Sequence, residues 1–134
     1  SAASDVYKRQ PLESLSDLAC HTLLHDTSRK DWKQFAKQNG IDGVNVNHGP
    51  IFSHSTMVLQ AAAHGQGIAL GNNVLAQPEI EAGRLIAPFD EVLVSKNAFY
   101  VVCHEKQADM GRIATFRDWM LAKAQSEQED LLDE

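Results

Sequence analysis

Clusters of basic residues, long apolar runs and cysteines are all scarce in this chain, and each scarcity removes a class of function. Across 134 residues there are 12 Lys and Arg against 18 Asp and Glu, a formal charge of −6. No Lys/Arg cluster supplies the basic footprint that a phosphate backbone requires, so this chain alone is not expected to bind DNA. The apolar runs fall far short of the roughly 20 residues that span a bilayer, and no charged-then-apolar leader precedes a small-residue cleavage site. No membrane partner is expected, and the chain reads as cytoplasmic. Cys20 and Cys103 are the only two cysteines; they exclude a disulfide framework and read as buried thiols. No G-x-S-x-G elbow of an α/β hydrolase is present. What remains, 43% hydrophobic and 22% charged, suits a domain of ordinary size with one core and part of a second.

The most informative stretch is Gly49 to Asn72, GPIFSHSTMVLQAAAHGQGIALGN. Ile51 and Phe52 end an apolar segment, Ser53 to Thr56 form a polar corner, and Met57 to His64 continue without a helix breaker until Gly65. Ile68 to Leu70, bounded by Gly67 and Gly71, reads as a strand buried on both faces. The pattern is one βαβ crossover in a mostly parallel sheet. In such sheets ligands sit at the carboxyl ends of the strands, where the first amides of the helices point outward. Phe52, Ser53, His54, Ser55 and Thr56 are therefore the candidate binding residues, with hydroxyls and helix-start amides suited to a carboxylate or another anion. Ser53 or Ser55 equally suits simple helix capping. His54, if protonated, adds positive charge.

The rest of the chain is read around this unit. Residues Ser1 to Gln10 lack periodicity, and DVYKRQ resembles a translated sequencing adapter, so residues 1–10 read as a non-native or disordered leader of a longer natural protein. Ser14 to Leu18 is a polar, helix-turn-like stretch, and His21 to His25 (HTLLH) a short apolar strand. His21 and His25 would share a face there, but nothing completes a ligand set and no metal is expected. Asp31 to Asn39 is an amphipathic helix presenting Trp32, Phe35 and Ala36, stopped by Gly40. Val44 and Val46 begin an edge strand that Gly49 and Pro50 interrupt. Asn73 to Glu81 is a short helix, broken or bent at Pro78 and closed by Gly83. Arg84 to Ala87 and Val92 to Val94 read as strands, and Ala98 to Cys103 (AFYVVC) as the strongest strand of the chain, placed centrally. Ala108 to Ala124 is a long helix with an apolar stripe of Ile113, Phe116, Trp119 and Met120, followed by a frayed acidic tail, residues 125–134.

No catalytic constellation emerges. Gly65-x-Gly67 follows a helix and enters a strand, the reverse of a dinucleotide motif. Cys103 and His104 are neighbours on a strand and point to opposite faces, so they are no nucleophile and base. Glu79, Glu81, Asp90 and Glu91 read as solvated charges. Neither an enzyme nor a cofactor is expected.

The succession DLACHTLLH, DWKQFAKQNG, HGPIFSHSTMVLQAAAHGQGIALGN, GRLIAPF, AFYVVCHE and FRDWML resembles the effector-binding domain of LysR-type transcriptional regulators, within them the branch typified by the glycine cleavage system activator. The resemblance covers Pro11 to about Ala124. It implies an α/β fold like a type II periplasmic binding protein, with residues 11–103 as the second lobe and residues 104–124 as a return segment and helix belonging to a first lobe not contained here. It also implies a hinge at Cys103 and His104, where family members commonly have Pro nearby. The implied function is sensing of a small anionic metabolite or amino acid, in a homo-oligomer that contacts DNA only through an amino-terminal helix-turn-helix. The alternative is a solute-binding protein of the same architecture.

Overall fold

A buried pair of leucines decides the architecture. Leu23 and Leu24 lie on strand β1 (Leu23–Asp26), and because successive side chains on a strand point to opposite faces, each seeds its own core. Leu23 joins Leu18, Trp32 and Phe35 on one side, whereas Leu24 joins Val58, Ala61 and Ala62 on the other. A strand apolar on both faces must be covered on both, the hallmark of a parallel sheet between helices. The computed structural model describes residues 12–94 and 100–132, with side chains as far as residue 127. The described residues fall into two compact units, the first ending at Val94.

In the first unit β1 lies between β2 (Ile51–Phe52) and β3 (Ile68–Ala69), and both pairings are parallel. His25 is opposite Ile51 and Asp26 opposite Phe52, while Leu23 and Leu24 are opposite Ile68 and Ala69. The crossover foreseen between Phe52 and Ile68 therefore spans the intervening β1. Helix α1 (Lys30–Gln38) covers the Leu23 face and α2 (Ser55–Ala63) the Leu24 face. A nine-residue helix is marginal in isolation, so the buried Trp32 and Phe35 supply most of what holds α1, about 1.5–3 kcal/mol for each fully buried large side chain. Their rings meet edge to face at 5.7 Å. The Trp32 indole Nε1 donates to the Leu24 carbonyl at 2.9 Å, so its one polar atom is not stranded in the core. Gly40, at φ 60°, ends this helix as expected. Helix α3 (Asn73–Glu81) starts at Asn72, whose side-chain oxygen accepts from the Val74 amide at 3.0 Å, and it continues through Pro78.

Several expectations are corrected. The histidines of HTLLH do not share a strand face, because His21 closes a 3-10 helix (Leu15–Cys20) and only His25 lies on β1. Val44 to His48 turn rather than extend, and the edge strand shrinks to Ile51–Phe52. Arg84 to Ala87 and Val92 to Val94 form no strand. The central position goes to β1. Of the AFYVVC segment, Ala98 and Phe99 lie outside the described residues, and Tyr100 to Cys103 form no ladder, with Tyr100 82% exposed. β-branched and aromatic composition reports fitness for a pleated surface, but a ladder also needs a neighbouring strand with free amides. Cys20 and Cys103 are both exposed thiols, not buried ones.

The second unit contains a 3-10 turn (Glu105–Gln107) and helix α4 (Gly111–Leu132). Phe116 and Trp119 pack on each other at 5.9 Å between ring centroids, yet remain 56% and 60% exposed. No described helix is long and apolar enough to cross a membrane.

Candidate functional site

The carboxyl ends of the three strands lie on one edge of the sheet because all the pairings are parallel. From β1 the chain leaves at Asp26, from β2 at Phe52 and from β3 at Ala69; helices α1, α2 and α3 begin just beyond. All five residues singled out in the sequence lie at the exit of β2, an edge strand. Phe52 is half-buried against the Leu24 cluster. Ser53 and His54 turn the chain outward, their Oγ and Nδ1 atoms 2.9 Å apart. His54 occupies the N-cap position of α2 in extended conformation (φ −141°, ψ 138°), and its side chain makes no capping bond. Its carbonyl accepts from the Met57 and Val58 amides at 3.0 and 3.3 Å.

Neither serine caps the helix. The Ser55 hydroxyl donates to Oδ2 of Asp26, across from the end of β1, and Ser53 bonds to the His54 ring. The amides of Ser55 and Thr56 consequently find no acceptor among the described residues. A helix start in this condition carries about half a positive charge and turns free N–H groups toward solvent, the elements of an anion site.

Asp26 is the residue that the sequence reading missed. Nothing in its immediate sequence marks its partner, since Ser55 lies 29 residues away. The available signal was its position: an acid closing a run of buried strand residues and preceding a helix stands at the carboxyl edge of a parallel sheet. Its charge bears on the site. A ligand carboxylate about 6 Å from Asp26 would be repelled by roughly 3 kcal/mol at an effective dielectric of 20, more than the 0.3–1 kcal/mol typical of a helix end. Arg29 makes no ion pair with Asp26 among the described residues. Its Nη2 instead donates to the Gly49 carbonyl at 3.0 Å, on the side of the sheet where the buried His25 bonds through Nε2 to the His48 carbonyl at 2.6 Å.

The remaining candidates, Cys103 and His104, belong to the second unit. His104 accepts from the Lys106 amide at 3.2 Å, capping the 3-10 turn, and both His104 and Cys103 are exposed. A shallow concavity of about 290 Å³ runs along the flank of α2, lined by Phe52, Met57, Gln60, Ala61, His64 and Gln66. It shares Phe52 with the corner.

A parallel sheet sandwiched by helices, with an open helix start at its carboxyl edge, is an open α/β architecture of the kind found in periplasmic-binding-protein-like folds. Comparison with known proteins makes this specific. The model of the LysR substrate binding domain matches residues 2–125, and the chain belongs to that family. It is 66% identical over 120 residues to the glycine cleavage system transcriptional activator of Escherichia coli K12, covering 90% of this chain and 39% of that protein. With the homologue of that activator in Haemophilus influenzae it shares 38% identity over 129 residues, 96% of this chain and 43% of the relative. The chain thus spans about two-fifths of the length of these curated relatives. Among solved structures, the effector domain of the transcriptional regulator AmpR of Pseudomonas aeruginosa superposes with a TM-score of 0.77 at 23% identity, over 96% of this chain and 61% of that one.

Proposed function

We propose that this chain is the effector-sensing part of a LysR-type regulator of transcription, and that the corner formed by Phe52, Ser53, His54, Ser55 and Thr56 is its contribution to the effector site. Residues 11–103 act as the second lobe. Residues 104–124 return to a first lobe supplied by sequence outside this chain, with Cys103 and His104 at the hinge; residues 1–10 and 125–134 take no part. A small anionic metabolite or amino acid binds between the lobes. It shifts the regulator only through a difference in affinity for two lobe arrangements, since equal affinity moves no population. The protein is cytoplasmic and homo-oligomeric, without membrane or catalytic role, and reaches DNA through a helix-turn-helix outside this chain.

The observation that carries this reading is the uncapped start of α2 at the carboxyl edge of the sheet, in a chain of this family. The relatives are named as transcriptional activators, and the comparisons give no support to the solute-binding alternative.

Thermal-shift screening of the intact regulator against amino acids and small anions tests the reading. A ligand at a hundred times its Kd contributes about 2.7 kcal/mol and raises Tm by several degrees. In Thr56→Glu, an exposed position where a carboxylate suits the helix start, the free protein should keep its Tm and lose the response. A response unchanged in that variant, or no response to any compound, contradicts the assignment.

A further inference from the structure

Helix α1 buries Trp32 and Phe35 and leaves Lys30, Lys33 and Lys37 exposed. With about 3.6 residues per turn, the three lysines fall within about 60° of one another, on the side of the helix opposite the buried pair. They form a stripe. Asp31, the only acid of the helix, lies off it, and no ion pair among the described residues involves any of the three lysines. Like charges three and four residues apart repel along a helix, so in a chain with a formal charge of −6 this stripe stands out as a cationic surface. An acidic partner would relieve the repulsion.

The same chain contains an acidic counterpart. Residues 127–134, EQEDLLDE, include five acids and no Lys or Arg, and Glu127, Asp130 and Glu134 recur at i, i+3 and i+7. That is the spacing of Lys30, Lys33 and Lys37. Helix α4 runs through Leu132, and Lys123 pairs with Glu127 at 3.7 Å with both side chains more than half exposed. From this complementarity we infer that the lysine stripe of α1 docks the acidic segment, residues 127–134, of a second copy of this chain. Each copy offers both surfaces, so a two-fold pair makes the contact twice. One exposed ion pair strengthens association only about twofold to fivefold, whereas several held together within an oligomer act at a raised effective concentration. The contact is therefore weak alone and salt-dependent. It stands independently of the effector corner.

Charge reversal tests the pairing. One variant reverses the stripe (Lys30→Glu, Lys33→Glu, Lys37→Glu) and the other reverses the segment (Glu127→Lys, Asp130→Lys, Glu134→Lys). The three lysines are exposed and belong to neither core, so the stripe variant should keep the circular dichroism and Tm of the wild type. In sedimentation, wild-type self-association should weaken about tenfold between about 50 and about 500 mM salt. Each variant alone should associate about tenfold more weakly than wild type at low salt. An equimolar mixture of the two recreates both contacts between unlike copies and should return association to the wild-type level. In that mixture the amide resonances of Lys30 to Gln38 in a labelled stripe variant should shift, while those of α2 and α3 stay in place. Any of four results overturns the inference: a wild type that stays monomeric or ignores salt, variants that associate as wild type does, a mixture no stronger than either variant, as expected if the segment docks within its own copy, or shifts spread over the whole chain, as expected of attraction by net charge alone.

Discussion

Gly49 shows how closely single residues constrain this edge of the molecule. It sits at φ 98°, and a Cβ placed there would come within 1.9 Å of the Leu23 carbonyl oxygen, a backbone atom of the central strand. Its own carbonyl holds Arg29 and the preceding one holds His25. Gly49→Ala must therefore strain the backbone or push the loop off β1, and the expected cost is at least about 3 kcal/mol. Urea unfolding checks it, and a loss below about 1 kcal/mol would contradict the close approach. Asp17 gives a second test. Its carboxyl accepts from the amides of Ser14 and Glu13 at 2.8 and 2.9 Å, and the bond to Ser14 is the larger of the causes holding its pKa below the ordinary 3.8. A carboxyl with a folded pKa below its unfolded one stabilises fully above the unfolded value and loses that contribution as pH falls through the folded one. The start of the 3-10 helix should thus stay intact down to pH 3.8 and fray only below it; a titration midpoint of the Ser14 amide resonance above 3.8 would contradict the capping role.

Elements were legible where the signal was local. The Trp32 and Phe35 spacing with Gly40 located α1, the Ser and Thr corner before an unbroken apolar run located α2, and Gly67 and Gly71 bracketed β3. Strands that depend on a distant neighbour were not legible. Tyr100 to Cys103 have the composition of a central strand but no ladder, whereas the plainer Leu23 to Asp26 takes the middle of the sheet because both its faces and both its edges are covered. Helix α4 makes the same point through packing. Its periodicity was visible in the sequence, and in the structure Phe116 and Trp119 still face outward. Exposed aromatics grouped on one helix face favour association. The chain should show concentration-dependent self-association in sedimentation, and Phe116→Asp should reduce it. A wild type that sediments as a clean monomer, indistinguishable from the variant, would remove the idea.

At the scale of the whole molecule, the parallel order β2, β1, β3 brings the carboxyl ends of three separate sequence segments to one edge. The serine and threonine half of the candidate site could be read from its own few residues. The position of Asp26 places it at the carboxyl edge but does not pair it with Ser55, because adjacency across the sheet is set by register, which no local pattern encodes. The account depends on the free amides that open α2 being the groups an effector engages. Hydrogen–deuterium exchange of the intact regulator, with and without a compound that raises its Tm, tests this most directly, since amides without acceptors exchange freely until something binds them. Peptides covering residues 53–58 should gain the strongest protection on binding. Protection confined to the flank lined by Gln60, His64 and Gln66, with residues 53–58 exchanging as before, would contradict it.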